Sequence, residues 1–190
     1  MKKFFDSVDQ ETLLTILSRR IKDSSTISLL KEVIYSFAPI HGRRVGMPIG
    51  NLTSQIFANI YLNELDRFVK HELKVKFYLR YGDDFIVLEN SLEKLKAVRA
   101  AVGRFLMDEL KLQVNPKSDK ILKVSDGLRF LGVKLWSLGR TLNRRNLARV
   151  RERLKPDNAS SYCGLVKKHG NAKEVKRLQW LVCEKILNEY

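Results

Sequence analysis

The sequence predicts an α+β protein in which an antiparallel strand pair sits among helices and is followed by a helical, basic C-terminal part. Three observations lead there. Two short strand-like runs, Lys76 to Tyr81 and Phe85 to Leu88, pivot about Gly82-Asp83-Asp84 and read as a hairpin with the acids at its tip. Long stretches on both sides carry apolar residues at helical spacing. The net charge of +15 is uneven: residues 1–100 hold 16 Lys and Arg against 12 Asp and Glu, and residues 101–190 hold 20 against 9. At 190 residues there is enough chain for one sizeable domain or one domain with a small appendage.

Asp9 is placed to cap a helix through Leu13, Leu14, Ile16, Leu17 and Ile21. A second helix is expected over Ile27 to Phe37, ended by Pro39. Gly42 to Gly50 holds three glycines and a proline and reads as a loop. From about Thr53 to Lys70, the pairs Ile56/Ile60, Phe57/Tyr61 and Tyr61/Leu65 recur at helical spacing, with Thr53 or Ser54 available as cap. After the hairpin, Ser91 caps a helix whose Leu92, Leu95, Val98, Val102, Phe105 and Leu106 form one stripe. Strands are expected at Lys120 to Val124 and Leu128 to Trp136, the latter turning at Gly139 toward Thr141-Leu142. From Asn143 the chain reads as basic helix, with a loop around Pro156 to Ser161.

Asp83 and Asp84 stand side by side in an apolar run, Phe77 to Leu88, that should be largely buried. Unpaired buried charge is very costly, so a cation must meet them, and Mg²⁺ is the candidate. The positive C-terminal part points to a polyanion. From Arg140 to Lys155 there are seven basic residues and one acid, Glu152. Leu147, Val150 and Leu154 fall on one helical face and leave Arg144, Arg145, Arg149, Arg151 and Arg153 for the others. Cys163 and Cys183 lack the clustered partners of a zinc site and read as thiols in a reducing compartment. No apolar run approaches the roughly 20 residues that span a bilayer, and the expectation is a cytoplasmic protein.

Four blocks, in order, resemble the polymerase core of reverse transcriptases: Lys2-Lys3-Phe4-Phe5-Asp6-Ser7-Val8-Asp9, Gly46-Met47-Pro48-Ile49-Gly50-Asn51-Leu52-Thr53-Ser54-Gln55, Tyr81-Gly82-Asp83-Asp84, and Phe130-Leu131-Gly132 as the primer-grip turn. The resemblance implies a polymerase palm, a ferredoxin-like antiparallel sheet with helices on one face, over residues 1–142, and a helical thumb over 143–190. No fingers are included. Group II intron relatives show Gln-Gly, three residues, then Ser-Pro; here Ile49-Gly50 precede Ser54-Gln55, a variant that looks most like diversity-generating retroelements.

The chemistry the resemblance implies is RNA-directed DNA polymerisation, with RNA template, DNA primer and deoxynucleotide triphosphates as partners. It proceeds by two-metal nucleotidyl transfer, with Mg²⁺ ions about 4 Å apart and Mn²⁺ as a substitute. Asp83 is the first metal ligand expected and Asp84 the second. Phe5 matches the aromatic that excludes a 2′ hydroxyl, while Ile49, Gly50 and Gln55 fall at the nucleotide. Ile49 stands where the family has Gln, which implies looser nucleotide selection. Lys117, in Asn115-Pro116-Lys117, matches a basic residue beside the triphosphate. The arginines from Arg144 to Arg153 would track the phosphate backbone.

In the family pattern a catalytic Asp lies two residues before Lys2, at a position this sequence does not include. The expectation is therefore a chain inactive alone, completed by an upstream fingers segment, an accessory protein or self-association through an uncovered sheet edge. Two other readings compete. One is an RNA-binding remnant without catalysis. The other is an RNA-dependent RNA polymerase, which Gly82-Asp83-Asp84 favours and Phe5 and Phe130-Leu131-Gly132 oppose.

Overall fold

The structure is a computed structural model that describes residues 1–37, 42, 44–48 and 50–187, without the side chain of residue 186. It divides into two compact units, Met1–Asp119 and Lys120–Tyr190. The division falls ahead of the second sheet, whereas the sequence reading put its boundary after that sheet, at 142.

The first unit is mainly helical. After a short α1 (Phe4–Ser7), α2 (Gln10–Arg20) starts at Asp9, whose carboxylate accepts from the Thr12 amide at 2.8 Å and its hydroxyl at 2.7 Å. Asp23 does the same for α3 (Ser24–Tyr35), accepting from the Thr26 amide at 2.6 Å. That cap starts the helix three residues before the expected Ile27; Pro39, the expected stop, lies outside the described residues. The next helix, α4 (Leu52–Arg67), has Asn51 at its N-cap position, with no side-chain hydrogen bond to its first amides, and the expected caps Thr53 and Ser54 lie inside its first turn. Gly50, at φ 97°, brings the chain into the helix ahead of them. A π-helical turn, Phe68–Glu72, extends α4, and Phe68 stacks on Phe105 of α5 (Leu92–Asp108) with ring centres 4.2 Å apart. Ser91 caps α5 as the sequence predicts, its hydroxyl accepting from the Lys94 amide at 3.3 Å.

The core of this unit joins Leu13 and Leu17 of α2, Tyr61, Leu62 and Leu65 of α4, and Val102 and Leu106 of α5. Each fully buried leucine contributes about 1.5–3 kcal/mol relative to exposure. Tyr61 is buried without an orphaned hydroxyl, because it donates to the Leu110 carbonyl at 2.7 Å. Burial pushes its phenol well above the ordinary value.

On this helical layer rests the hairpin of β1 (Phe77–Tyr81) and β2 (Asp84–Leu88), paired from Phe77 with Leu88 to Tyr81 with Asp84. Strand alternation sends Tyr78, Phe85 and Val87 to the helices and leaves Phe77, Leu79 and Tyr81 exposed. The run is thus half-buried rather than largely buried, since a two-stranded sheet packed on one side covers one face only. Where a ferredoxin-like sheet is expected, the described residues of this unit hold a two-stranded antiparallel sheet, β1-β2.

The second unit places a three-stranded antiparallel sheet, β3 (Leu128–Phe130), β4 (Val133–Trp136) and β5 (Gly139–Leu142), beside three helices. The expected strand over Lys120 to Val124 is not one: those residues are irregular and enter a 3₁₀ turn, Val124–Asp126. The single strand expected over Leu128 to Trp136 is broken into β3 and β4 at Leu131-Gly132, both at positive φ (49° and 79°), the pattern of a tight hairpin turn. The helices are α6 (Arg144–Arg153), α7 (Pro156–His169) and α8 (Ala172–Leu187). Pro156 opens α7 instead of a loop, its fixed φ and missing N–H being harmless in a first turn. Leu142, Val150, Leu154, Val166 and Leu178 form this unit's core.

Candidate active site and nucleic-acid surface

The hairpin tip is a two-residue turn, Gly82-Asp83, closed by the pair Tyr81 and Asp84. Gly82 takes φ 58°, a conformation costly for other residues, which lets the strands reverse with Asp83 at the apex. Asp84 is exposed; the Asp83 side chain is 40% exposed. The nitrogen of Met1 donates to both the Asp83 carboxylate and the Asp83 carbonyl, each at 3.2 Å. Next to it, the Lys2 amide donates to the Gln113 carbonyl at 3.0 Å, so the first residues run between the tip and the segment after α5.

A second set of contacts reaches the tip from α4. Arg80 donates from Nε to Asp66 Oδ1 at 2.8 Å and from Nη2 to Asp66 Oδ2 at 2.6 Å. Its Nη1 donates to the Gly82 carbonyl at 2.9 Å and to Asn59 Oδ1 at 3.5 Å. Tyr78 completes the cluster, its hydroxyl donating to Asp66 Oδ1 at 2.8 Å. The Asp66 hydrogen bond holds the Arg80 guanidinium above its ordinary pKa; burial first, then Asp66, pushes the Tyr78 phenol up. The sequence reading assigned nothing to Arg80, Asp66 or Asn59. A lone arginine in an apolar strand beside two acids was the available signal.

The other expected site residues are distributed as follows. Phe5 is half-buried, edge-on to Phe4 with ring centres 5.2 Å apart, and its carbonyl accepts from the Met47 amide at 2.7 Å. The first and second sequence blocks therefore meet. Gly50 is exposed with open space where a Cβ would be, and Gln55 is exposed in the first turn of α4. Ile49 lies outside the described residues. Lys117 is exposed in a turn where its amide donates to the Asn115 side chain, and it has no ion-pair partner among the described residues. No group of three or more His, Cys, Asp or Glu suited to a metal occurs among the described residues. The tip offers two carboxylates, which suits an ion that takes its remaining oxygens from phosphate and water, as Mg²⁺ does.

In the second unit, α6 buries Val150 and half-buries Leu147, while Arg144, Arg145, Arg149, Arg151 and Arg153 are all exposed and form no ion pair with a described residue. The Phe130-Leu131-Gly132 turn is tied to this helix: the Gly132 carbonyl accepts from the Asn143 amide and the Asn146 side chain, both at 3.1 Å. On α8, Lys176 and Arg177 lie beside an exposed Trp180, which the sequence reading passed over.

Residues 1–135 match the family described as reverse transcriptase (RNA-dependent DNA polymerase). The chain belongs to the reverse transcriptase family. Among curated relatives of this family member, Protein YkfC of Escherichia coli is 26% identical, the match covering 71% of the chain and 45% of YkfC. The group II intron-encoded protein LtrA of Lactococcus lactis is 24% identical over 70% of the chain and 33% of LtrA. An uncharacterized 91 kDa protein in a cob intron of Schizosaccharomyces pombe is 37% identical over 40% of the chain and 10% of that protein. The chain thus spans less than half the length of these relatives. None of its described helices is long and apolar enough to cross a membrane.

Proposed function

We propose that this chain is the palm and thumb portion of an RNA-directed DNA polymerase, with Asp83 and Asp84 as its metal-binding carboxylates. The observation that carries the reading is the acid pair at a glycine-turned, half-exposed hairpin apex inside the family-matched residues. Mg²⁺ or Mn²⁺ held there would supply charge stabilisation at the attacking and leaving oxygens of nucleotidyl transfer. Palm corresponds to residues 1–142 and thumb to 143–190. Asp83 and Asp84 offer oxygens; Phe5 walls the sugar and excludes a 2′ hydroxyl; Gly50 leaves the backbone open to the nucleotide, next to Ile49 and Gln55. The first amides of α4, which no side chain caps, suit a phosphate. Lys117 sits by the leaving pyrophosphate and stabilises its charge.

The α6 arginines grip the backbone of template and primer without reading sequence, and the Leu131-Gly132 turn bound to α6 sets the primer end. The name of one relative, a group II intron-encoded protein, supports an intron-type element as the source of the template.

Two carboxylates at the tip are few for two metals. The 190-residue chain alone therefore extends a primer weakly or not at all, and needs a further acid from another segment, an accessory protein or a second copy. The test is Mn²⁺ titration of the purified chain, followed by electron paramagnetic resonance of the free ion, together with primer extension. Binding that Asp83→Asn abolishes, without robust extension, is expected. Binding indifferent to Asp83→Asn would leave the RNA-binding remnant as the better reading; robust extension by the chain alone would overturn the need for a completing acid.

A further inference from the structure

We infer that Arg80 is a positioning residue for the acid pair: gripped by Asp66 on α4, its guanidinium holds the Gly82 carbonyl and so sets where Asp83 and Asp84 present their oxygens. The inference rests on the metal-binding reading of the tip. Its basis is the division of one side chain's donors between two tasks. Nε and Nη2 form a fork on the Asp66 carboxylate at 2.8 and 2.6 Å, and Nη1 turns back to the Gly82 carbonyl at 2.9 Å. Only a planar, multi-donor cation does both at once, since a lysine ammonium lacks the fork.

The anchor is firm. The Arg80 side chain is 12% exposed, and Asp66 is held a second time by the Tyr78 hydroxyl at 2.8 Å. The tip needs such an anchor because two-stranded hairpins are marginal by themselves and their turns are the first parts to open. A salt bridge serving only to dock β1 on α4 would need the fork alone. The Nη1 bond to the turn carbonyl adds nothing to docking, because it lies within the hairpin two residues along, one residue before the first acid.

The consequence is measurable in the metal-free protein. Amide hydrogen exchange followed by NMR compares residues 82 to 84 with the ladder amides of β1 and β2. Arg80→Lys should speed exchange at the tip by about tenfold relative to the ladder. Tyr78→Phe removes one bond to Asp66 but none to Gly82, and should leave that ratio within about twofold even where it lowers the melting temperature. An unchanged ratio in Arg80→Lys overturns the inference. Should Arg80→Lys fail to fold, Asp66→Asn, which keeps the shape and loses the charge, is read by the same ratio, and an unchanged ratio there overturns it equally.

Mn²⁺ binding is then measured on the same proteins. A roughly tenfold weaker affinity in Arg80→Lys, with Tyr78→Phe at the wild-type value, is expected for a group that orients a ligand. Equal weakening by both variants would reduce Arg80 to a structural ion pair. If Asp83→Asn leaves Mn²⁺ binding unchanged, the metal reading of the tip fails, while the exchange ratio still decides whether Arg80 holds the turn.

Discussion

Gly82 carries a cost that no other residue at the tip could share. Its φ of 58° is open to glycine and strained for a residue with a Cβ, yet a methyl group there would meet nothing within 4 Å. Gly82→Ala therefore tests backbone strain alone: it should destabilise the chain by about 1 kcal/mol, read as a lower urea midpoint at unchanged slope. An Ala variant as stable as the wild type would mean the turn relaxes to another type. Leu131 makes the opposite point, since it holds φ 49° although it is not a glycine. Such strain persists where surroundings over-determine it, and the Gly132 carbonyl bonded to Asn143 and Asn146 supplies that restraint.

Caps and turns decide most of what happens at the level of elements, and they also decide what could be read ahead. Asp9→Ala removes two bonds to Thr12 and should cost about 1 kcal/mol of stability by thermal or urea unfolding. On α6, replacing Arg145, Arg149 and Arg153 with Ala should weaken binding to a primer-template duplex equally across sequences. The salt dependence should flatten, with a log–log slope smaller by about 2–3 if each contacts a phosphate. An unchanged slope would remove α6 from the interface. The caps Asp9 and Ser91, the α5 stripe from Val98 to Leu106 and the arginine face of α6 were legible because each depends on residues within one or two turns, whereas Leu92, counted in the same stripe, is exposed. The positions that misled depend on distant partners. Lys120 to Val124 has strand composition but pairs with no described strand, and the turn at Leu131-Gly132, which the resemblance marks, needs the positive φ of a leucine, which no local preference suggests. Of the candidate site, the acids and the aromatic could be picked out by type and order. The grip of Asp66 on Arg80 could not, since it joins a helix to a strand 14 residues away by side-chain geometry alone.

For the molecule as a whole, the decisive fact is that the chain divides into two compact units at an irregular stretch, residues 120 to 123, with Lys120 and Lys123 exposed. Limited trypsinolysis should cut there first and give fragments of about 14 and 8 kDa, because exposed segments without regular hydrogen bonding open most easily. Initial cleavage within α4 or α5 would contradict that division. The contact between Met1 and the hairpin apex has a practical side. Because the Met1 nitrogen lies 3.2 Å from the Asp83 carboxylate, whatever residues are joined ahead of Met1 begin beside the acid pair. Assays of the acid pair are therefore best compared between preparations that carry the same residues ahead of Met1.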